Sequence, residues 1–164
     1  MAASTSMGQP GVVTSPSPPS PRDLRAAQIA AVLAQGVREG RLDRTDALRV
    51  LRHELRLRNT NKKLAIVQRS SAAQAVIDKH LEAGTPVPNN NSLDALHADH
   101  VYALTSEDLE TIVSVDDWIT ALARLREVVC VTAAENYQLE VIEKGGITGP
   151  EKYIRAGITW GQPG

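Results

Sequence analysis

Four consecutive residues, His97-Ala98-Asp99-His100, are the part of the chain whose side chains are best suited to catalysis. Two of the four histidines stand there, three positions apart, with a carboxylate between them. An imidazole with an ordinary pKa of about 6.5 can take a proton from water near neutral pH. A carboxylate is a hard oxygen donor of the kind that binds Mg²⁺. The segment therefore indicates hydrolytic chemistry that uses a divalent ion and a general base.

The elements around this segment are predicted to be two strands and a helix. A strand is expected over residues 97–104, and four apolar, mostly β-branched residues predict a second strand over 128–131. The sequence Thr132-Ala133-Ala134-Glu135 is typical of a capping box, so a helix should begin directly after the second strand. That helix carries Asn136 in its first turn and Glu140 one turn later on the same face.

This order of residues and elements resembles the ββα-metal nucleases, the HNH and endonuclease VII-like superfamily, over roughly residues 93–145. The segments that carry the resemblance are His97-Ala98-Asp99-His100-Val101 and Val131-Thr132-Ala133-Ala134-Glu135-Asn136. Members of the endonuclease VII branch also have a histidine two places before the aspartate, where His97 stands here. Two helical patterns separate the strands in this chain, whereas the family usually has a short loop there.

The resemblance implies metal-dependent hydrolysis of DNA phosphodiester bonds. Asp99 and Asn136 would hold one Mg²⁺ or Mn²⁺ ion, and His100 would be the general base that activates water. His97 could donate a hydrogen bond to a phosphate oxygen, and Glu140 could reach the ion directly or through water. Since neighbouring residues of a regular strand point to opposite faces, the family arrangement also requires a bend at the end of the first strand.

The charge distribution points to an anionic partner for the first half of the chain. Residues 22–80 carry 13 Lys and Arg against 6 Asp and Glu, whereas residues 81–164 carry 5 against 13. Nucleic acid is the usual partner of such a basic region, with contacts to backbone phosphates that are independent of sequence. The predicted phosphate contacts are Arg49, Arg52, Arg56, Arg58, Lys62 and Lys63.

Other functions are compatible with the same residues. The basic region can be an ordinary solvated helix surface, and the Asp-His-Asn grouping can be coincidental or a decayed metal site. The protein would then be a non-catalytic helical DNA-binding or partner-binding protein. A third possibility is an assembly or regulatory subunit that acts only through its helices. A homodimer is a further expectation, because nucleases that cut both strands often pair.

The patterns together predict an α+β fold that is mainly helical and has three parts. A Ser- and Pro-rich tail over residues 1–21 should be disordered, because it cannot bury enough apolar surface to offset its ordering entropy. A basic helical region follows over residues 22–88, and its third helix is predicted to run from about Leu64 and to stop at Gly84. A ββα-like nuclease core with C-terminal helices is expected over residues 89–164.

Composition limits the cellular setting. A single cysteine, Cys130, excludes an intramolecular disulfide and a cysteine-based zinc site, which suits a reducing compartment. We find no apolar run near the roughly 18 residues that cross a bilayer, and no secretion signal at the start. The expectation is a cytoplasmic protein without a membrane partner. With no Phe in the chain, the core must come mainly from Leu, Val, Ile and Ala.

Overall fold

The computed structural model describes residues 17–55, 63–88, 92 and 94–161, and the fold is α+β and mainly helical, as predicted. Within these residues, no helix is both long enough and apolar enough to cross a membrane. The elements in chain order are α1 (Pro21–Arg38), α2 (Arg44–Glu54), a 3₁₀ turn (Lys63–Ala65), α3 (Ser71–Ala83), β1 (Leu96–His100), α4 (Ser106–Thr111), α5 (Val115–Leu125), β2 (Val128–Thr132), α6 (Ala133–Lys144) and α7 (Pro150–Arg155). The predicted disordered tail lies mostly outside the described residues.

Helix starts in this chain follow a shared local rule. Six helices are preceded by a Ser, Thr or Asp whose side-chain oxygen accepts a hydrogen bond from a backbone N–H in the first turn. This satisfies donors that have no partner within the helix. The capping residues are Ser20, Asp43, Ser70, Thr105, Ser114 and Thr132.

The largest core is a helical one formed by α1, α2, α4 and α5. The buried face of α1 is made almost entirely of alanine, which lets neighbouring helices approach closely, and Trp118 of α5 is fully buried against it. Arg126 adds polar contacts between these elements, because its guanidinium donates to the Leu55 carbonyl (3.1 Å) and to Asp23 (2.8 Å). Helices from the predicted basic region and from the predicted nuclease region therefore share one core.

Strands β1 and β2 pair in antiparallel register, with Leu96 opposite Thr132 and Asp99 opposite Val129. One face of this small sheet packs Val129 and its neighbour Val131 against Leu139 of α6 and Tyr153 of α7. The other face packs Leu96 and Cys130 against α3. Because side chains alternate along a strand, His97 and Asp99 belong to the face covered by α6 and α7.

Two predicted boundaries are wrong. The helix predicted from about Leu64 begins only at Ser71, because residues 68–70 are extended and hydrogen-bond to Cys130 of β2, whereas its stop at Gly84 is confirmed. Leu64 and Val67, which precede the helix, are exposed, and Leu81 is exposed within it. The first strand, predicted over 97–104, ends at His100, and the chain bends directly afterwards.

Burial of Cys130 leads to a test of this packing. The residue is fully buried between the sheet and α3, and burial raises the pKa of its thiol. Since the thiolate is the reactive form, we expect native protein at pH 8 to react with a disulfide reagent far more slowly than protein in urea. Similar rates in the two conditions would contradict the packing of α3 on β2.

Candidate active site on the two-stranded sheet

Helix α6 starts directly from the end of β2, and a set of polar contacts fixes this junction. Thr132 accepts a hydrogen bond from the Glu135 N–H (3.2 Å), and Glu135 accepts one from the Thr132 N–H (2.9 Å). The predicted capping box is therefore confirmed. The hydroxyl of the fully buried Ser70 also donates to Glu135 (2.6 Å). The start of α6 is thus held against both β2 and the loop that precedes α3.

Asp99 lies in a buried polar cluster. Its side chain is only 11% exposed, and its Oδ2 atom is 2.8 Å from Nζ of Lys152, whose side chain is completely buried. The hydroxyl of Tyr153 donates a hydrogen bond to the same oxygen. The Lys152 ammonium also donates to Oε1 of Glu143 (2.6 Å) and to the backbone carbonyl of His100 (2.7 Å). We call these three oxygens, from Asp99, Glu143 and His100, the Lys152 cradle.

The charges of this cluster depend on one another. A buried ammonium is strongly destabilising unless it is paired, and here two carboxylates compensate for its lost hydration. The two carboxylates exceed the single ammonium by one negative charge. Burial, followed by the hydrogen bond to Asp99, raises the pKa of Tyr153 far above its ordinary value. Tyr153 is consequently a protonated donor at every physiological pH.

His100 is partly buried at the end of β1. Burial lowers the pKa of its imidazole, and this effect outweighs the nearby carboxylates of Asp99 and Glu143, which act in the opposite direction. The ammonium of Lys152 lowers the pKa further. An imidazole with such a pKa is neutral at pH 7 and able to accept a proton. The chain bends only after His100, at Val101 and Tyr102, and the strand register puts the side chains of Asp99 and His100 on opposite faces of the sheet.

The remaining predicted site residues lie along α6 and beside β1. The Asn136 amide donates to Glu140 (3.2 Å), in agreement with their predicted positions on one helix face. Burial and the charge of Lys63 lower the pKa of His97, whereas Glu140 raises it, which places both charged groups near that histidine. Lys63 and Glu140 therefore lie close enough to His97 to affect its ionisation.

The carboxylate of α6 that joins Asp99 is that of Glu143, one turn beyond the predicted Glu140. Glu143 follows Asn136 by seven residues, or about 10 Å along a helix axis. Sequence reasoning missed Glu143, Lys152 and Tyr153. Glu143 lies on the same helix face as Asn136 and Glu140, so the helical spacing in the sequence could have identified it. Nothing local in the sequence distinguishes Lys152 and Tyr153, since both contact Asp99 from more than 50 positions away.

Carboxylate and carbonyl oxygens are the donors that hard divalent ions prefer, but in the cradle the Lys152 ammonium occupies them at 2.6–2.8 Å. The contacts that Lys152 and Tyr153 make with Asp99 are both to its Oδ2 atom, and neither involves Oδ1. Among the described residues, no group of three His, Cys, Asp or Glu side chains is arranged to hold a metal. Ion binding by Asp99, Asn136 and Glu140 stays a prediction.

The predicted phosphate contacts are only partly described. Arg49 lies exposed on α2 and pairs with Asp46 (2.8 Å), and Arg52 is partly buried on the same helix. Lys63 belongs to the 3₁₀ turn, which contacts β1. Arg56, Arg58 and Lys62 lie outside the described residues. Among the predicted phosphate contacts that the structure describes, Lys63 is therefore the one that lies beside the candidate site.

In comparisons with protein-family models, curated proteins and solved structures, the chain finds no match. Functional inference consequently depends on the geometry of this chain alone.

Replacing Asp99 tests the buried cluster. In Asp99→Asn, Lys152 keeps only one carboxylate, and breaking such a buried pair costs about 3 kcal/mol of unfolding free energy. Urea unfolding followed by circular dichroism measures this loss. The matched control is Glu140→Gln, which neutralises an exposed carboxylate and should change stability by less than about 0.5 kcal/mol. Equal stability of the two variants would contradict the assigned contacts.

Proposed function

We propose that this protein is a metal-dependent endonuclease that hydrolyses DNA phosphodiester bonds. The observation that carries the proposal is the pairing of β1 with β2 and the direct passage from β2 into α6. Asp99 and His100 stand at the end of one strand, and Asn136 lies in the first turn of the helix entered from the other strand. This order of elements is the one that the resemblance to ββα-metal nucleases implies, with α4 and α5 standing between the two strands.

His100 is assigned the role of general base. Its lowered pKa keeps the imidazole neutral near pH 7, so it can take the proton of a water molecule that attacks phosphorus. Asp99 would hold Mg²⁺ or Mn²⁺. Asn136 and Glu140, which lie two turns and one turn before Glu143 on α6, would contact the ion through water molecules. The ion would stabilise the charge that develops on the phosphate oxygens. Lys152 and Tyr153 orient the Asp99 carboxylate through their contacts with its Oδ2 atom.

DNA must approach a site that carries an excess of negative charge. Lys63 lies close enough to His97 to affect its ionisation, and it offers a positive charge for a phosphate beside β1. His97 is assigned a hydrogen bond to a phosphate oxygen. The basic segment 49–63 would supply further phosphate contacts without reading sequence. A homodimer would place one site against each strand of a duplex.

Plasmid cleavage tests the catalytic assignment. We expect nicking with Mg²⁺ or Mn²⁺ that stops when EDTA removes the metal. His100→Ala and Asn136→Ala should slow cleavage about 100-fold or more, because each removes a group that acts on the reacting water or the ion. Gln138→Ala, an exposed neighbour on α6, should cut at the native rate.

Two results would overturn this assignment. The first is native protein that binds DNA without cutting it under any of these conditions. The second is cleavage by His100→Ala at the native rate. DNA binding unaffected by His100→Ala but lost after charge removal over 49–63 would favour the non-catalytic DNA-binding alternative.

DNA affinity should also depend steeply on salt. Binding of a labelled duplex, measured by fluorescence anisotropy from about 50 to 200 mM salt, should weaken as counterions compete for the phosphates. Lys63→Gln should lower the salt slope by about 1. Lys79→Gln removes an equal charge from an exposed lysine that already pairs with Asp94, and it should leave the slope almost unchanged. Equal effects of the two variants would contradict the placement of DNA beside β1.

A further inference from the structure

A cleft between the start of α1 and the end of α2 has a basic lining that the candidate active site does not use. Its volume is about 330 Å³. Arg22 and Arg25 come from α1, and His53 comes from the last turn of α2. Two guanidinium groups at one cleft are suited to binding an anion. We call this feature the Arg22 cleft, and its lining residues are Arg22, Arg25, Ala26, Ile29, His53 and Glu54.

Arg22 and Arg25 form no ion pair with a carboxylate side chain among the described residues. The remaining residues of the chain include no Asp or Glu that could supply one. Glu54, the carboxylate of the lining, lies instead 3.4 Å from Nδ1 of His53. The arginines that do pair with a carboxylate are Arg41, Arg44, Arg49, Arg124, Arg126 and Arg155.

The stability of α1 does not explain these two arginines. Arg22 lies in the first turn, where the positive end of the helix dipole disfavours a cation. The acid of that turn, Asp23, already accepts a hydrogen bond from Arg126 (2.8 Å). Both Arg22 and Arg25 are exposed, so the buried face of α1 does not depend on them. An anion in the cleft would offset both positive charges.

The cleft is joined to the candidate site through Arg126. The guanidinium of Arg126 contacts Asp23 near the start of α1 and the Leu55 carbonyl at the end of α2. Two residues later, Val128 pairs with His100. Two residues and one strand spacing separate the backbones of Arg126 and His100 by at most about 13 Å. This distance is about four base pairs of B-DNA, which advances about 3.4 Å per base pair.

We propose that the Arg22 cleft binds a backbone phosphate of the DNA substrate, a few base pairs from the bond that is cut. This inference rests on the proposed function and deepens it, because it names a DNA contact outside the basic segment 49–63. Arginine suits the role, since its guanidinium can donate two parallel hydrogen bonds to phosphate oxygens. Such a contact adds affinity and fixes the position of the duplex without reading sequence.

Duplex binding by two double variants that lose equal charge tests the proposal. Fluorescence anisotropy of a labelled duplex is measured from about 50 to 200 mM salt, without added metal so that the duplex stays intact. Arg22→Gln/Arg25→Gln should weaken binding about tenfold or more near 100 mM salt and lower the salt slope by about 2. Arg41→Gln/Arg44→Gln removes two exposed arginines that already have carboxylate partners, and its affinity should change less than about threefold.

Equal losses of affinity in the two double variants would overturn the proposal, and so would unchanged affinity in Arg22→Gln/Arg25→Gln. Native protein that does not bind the duplex even at about 50 mM salt would overturn it as well. Both double variants should keep the native circular dichroism spectrum, because all four side chains are exposed.

Tripolyphosphate separates DNA from a free phosphate compound as the ligand of the cleft. We expect it to compete with the labelled duplex for native protein and to compete less for Arg22→Gln/Arg25→Gln. Suppose instead that tripolyphosphate raises the unfolding temperature of native protein alone, while the duplex binds native protein and this variant equally. The cleft would then be a site for free phosphate compounds, and the DNA assignment would be overturned.

The two proposals can fail separately. A protein that never cuts plasmid but loses duplex affinity in Arg22→Gln/Arg25→Gln would overturn the nuclease assignment and leave the phosphate contact intact. Metal-dependent cleavage together with equal duplex affinities of the two double variants would do the reverse.

Discussion

The burial of one ammonium group controls the architecture of the candidate site. Lys152 can be fully buried only because Asp99, Glu143 and the His100 carbonyl surround it. These groups come from β1 and α6, while Lys152 comes from α7, so a single charge joins three elements. Asp99 is consequently both part of the structural core and the residue to which the chemistry is assigned. Stability and the proposed chemistry would therefore depend on the same contacts.

Helix α6 is held to the sheet by polar contacts at each end and by apolar packing between them. At its start, Glu135 accepts hydrogen bonds from the Thr132 N–H and the Ser70 hydroxyl. Near its end, Oε1 of Glu143 accepts a hydrogen bond from the Lys152 ammonium. Leu139 packs between these points against the valines of β2. Such a helix keeps a fixed position relative to β1, which is what a site shared between a strand and a helix needs.

Sequence reasoning succeeded where the controlling interactions are local. The capping box at Thr132 and the β-branched run from Val128 depend on neighbours a few positions away, and both appear as predicted. It failed where contacts between segments far apart in the sequence determine the local structure. Residues 68–70 are extended because they hydrogen-bond to Cys130, some 60 positions later. The partners of Asp99 on α7 also could not be found from spacing, since only the folded chain brings them to β1.

The most direct test of the account is the location of a metal ion. Crystals grown with Mn²⁺ and measured near the manganese absorption edge would show its position as an anomalous difference peak. We expect a peak within coordination distance of the Asp99 carboxylate, on the face of the sheet covered by α6. A well-ordered site with the Lys152 ammonium still in the cradle and no peak at Asp99, at saturating Mn²⁺, would contradict it.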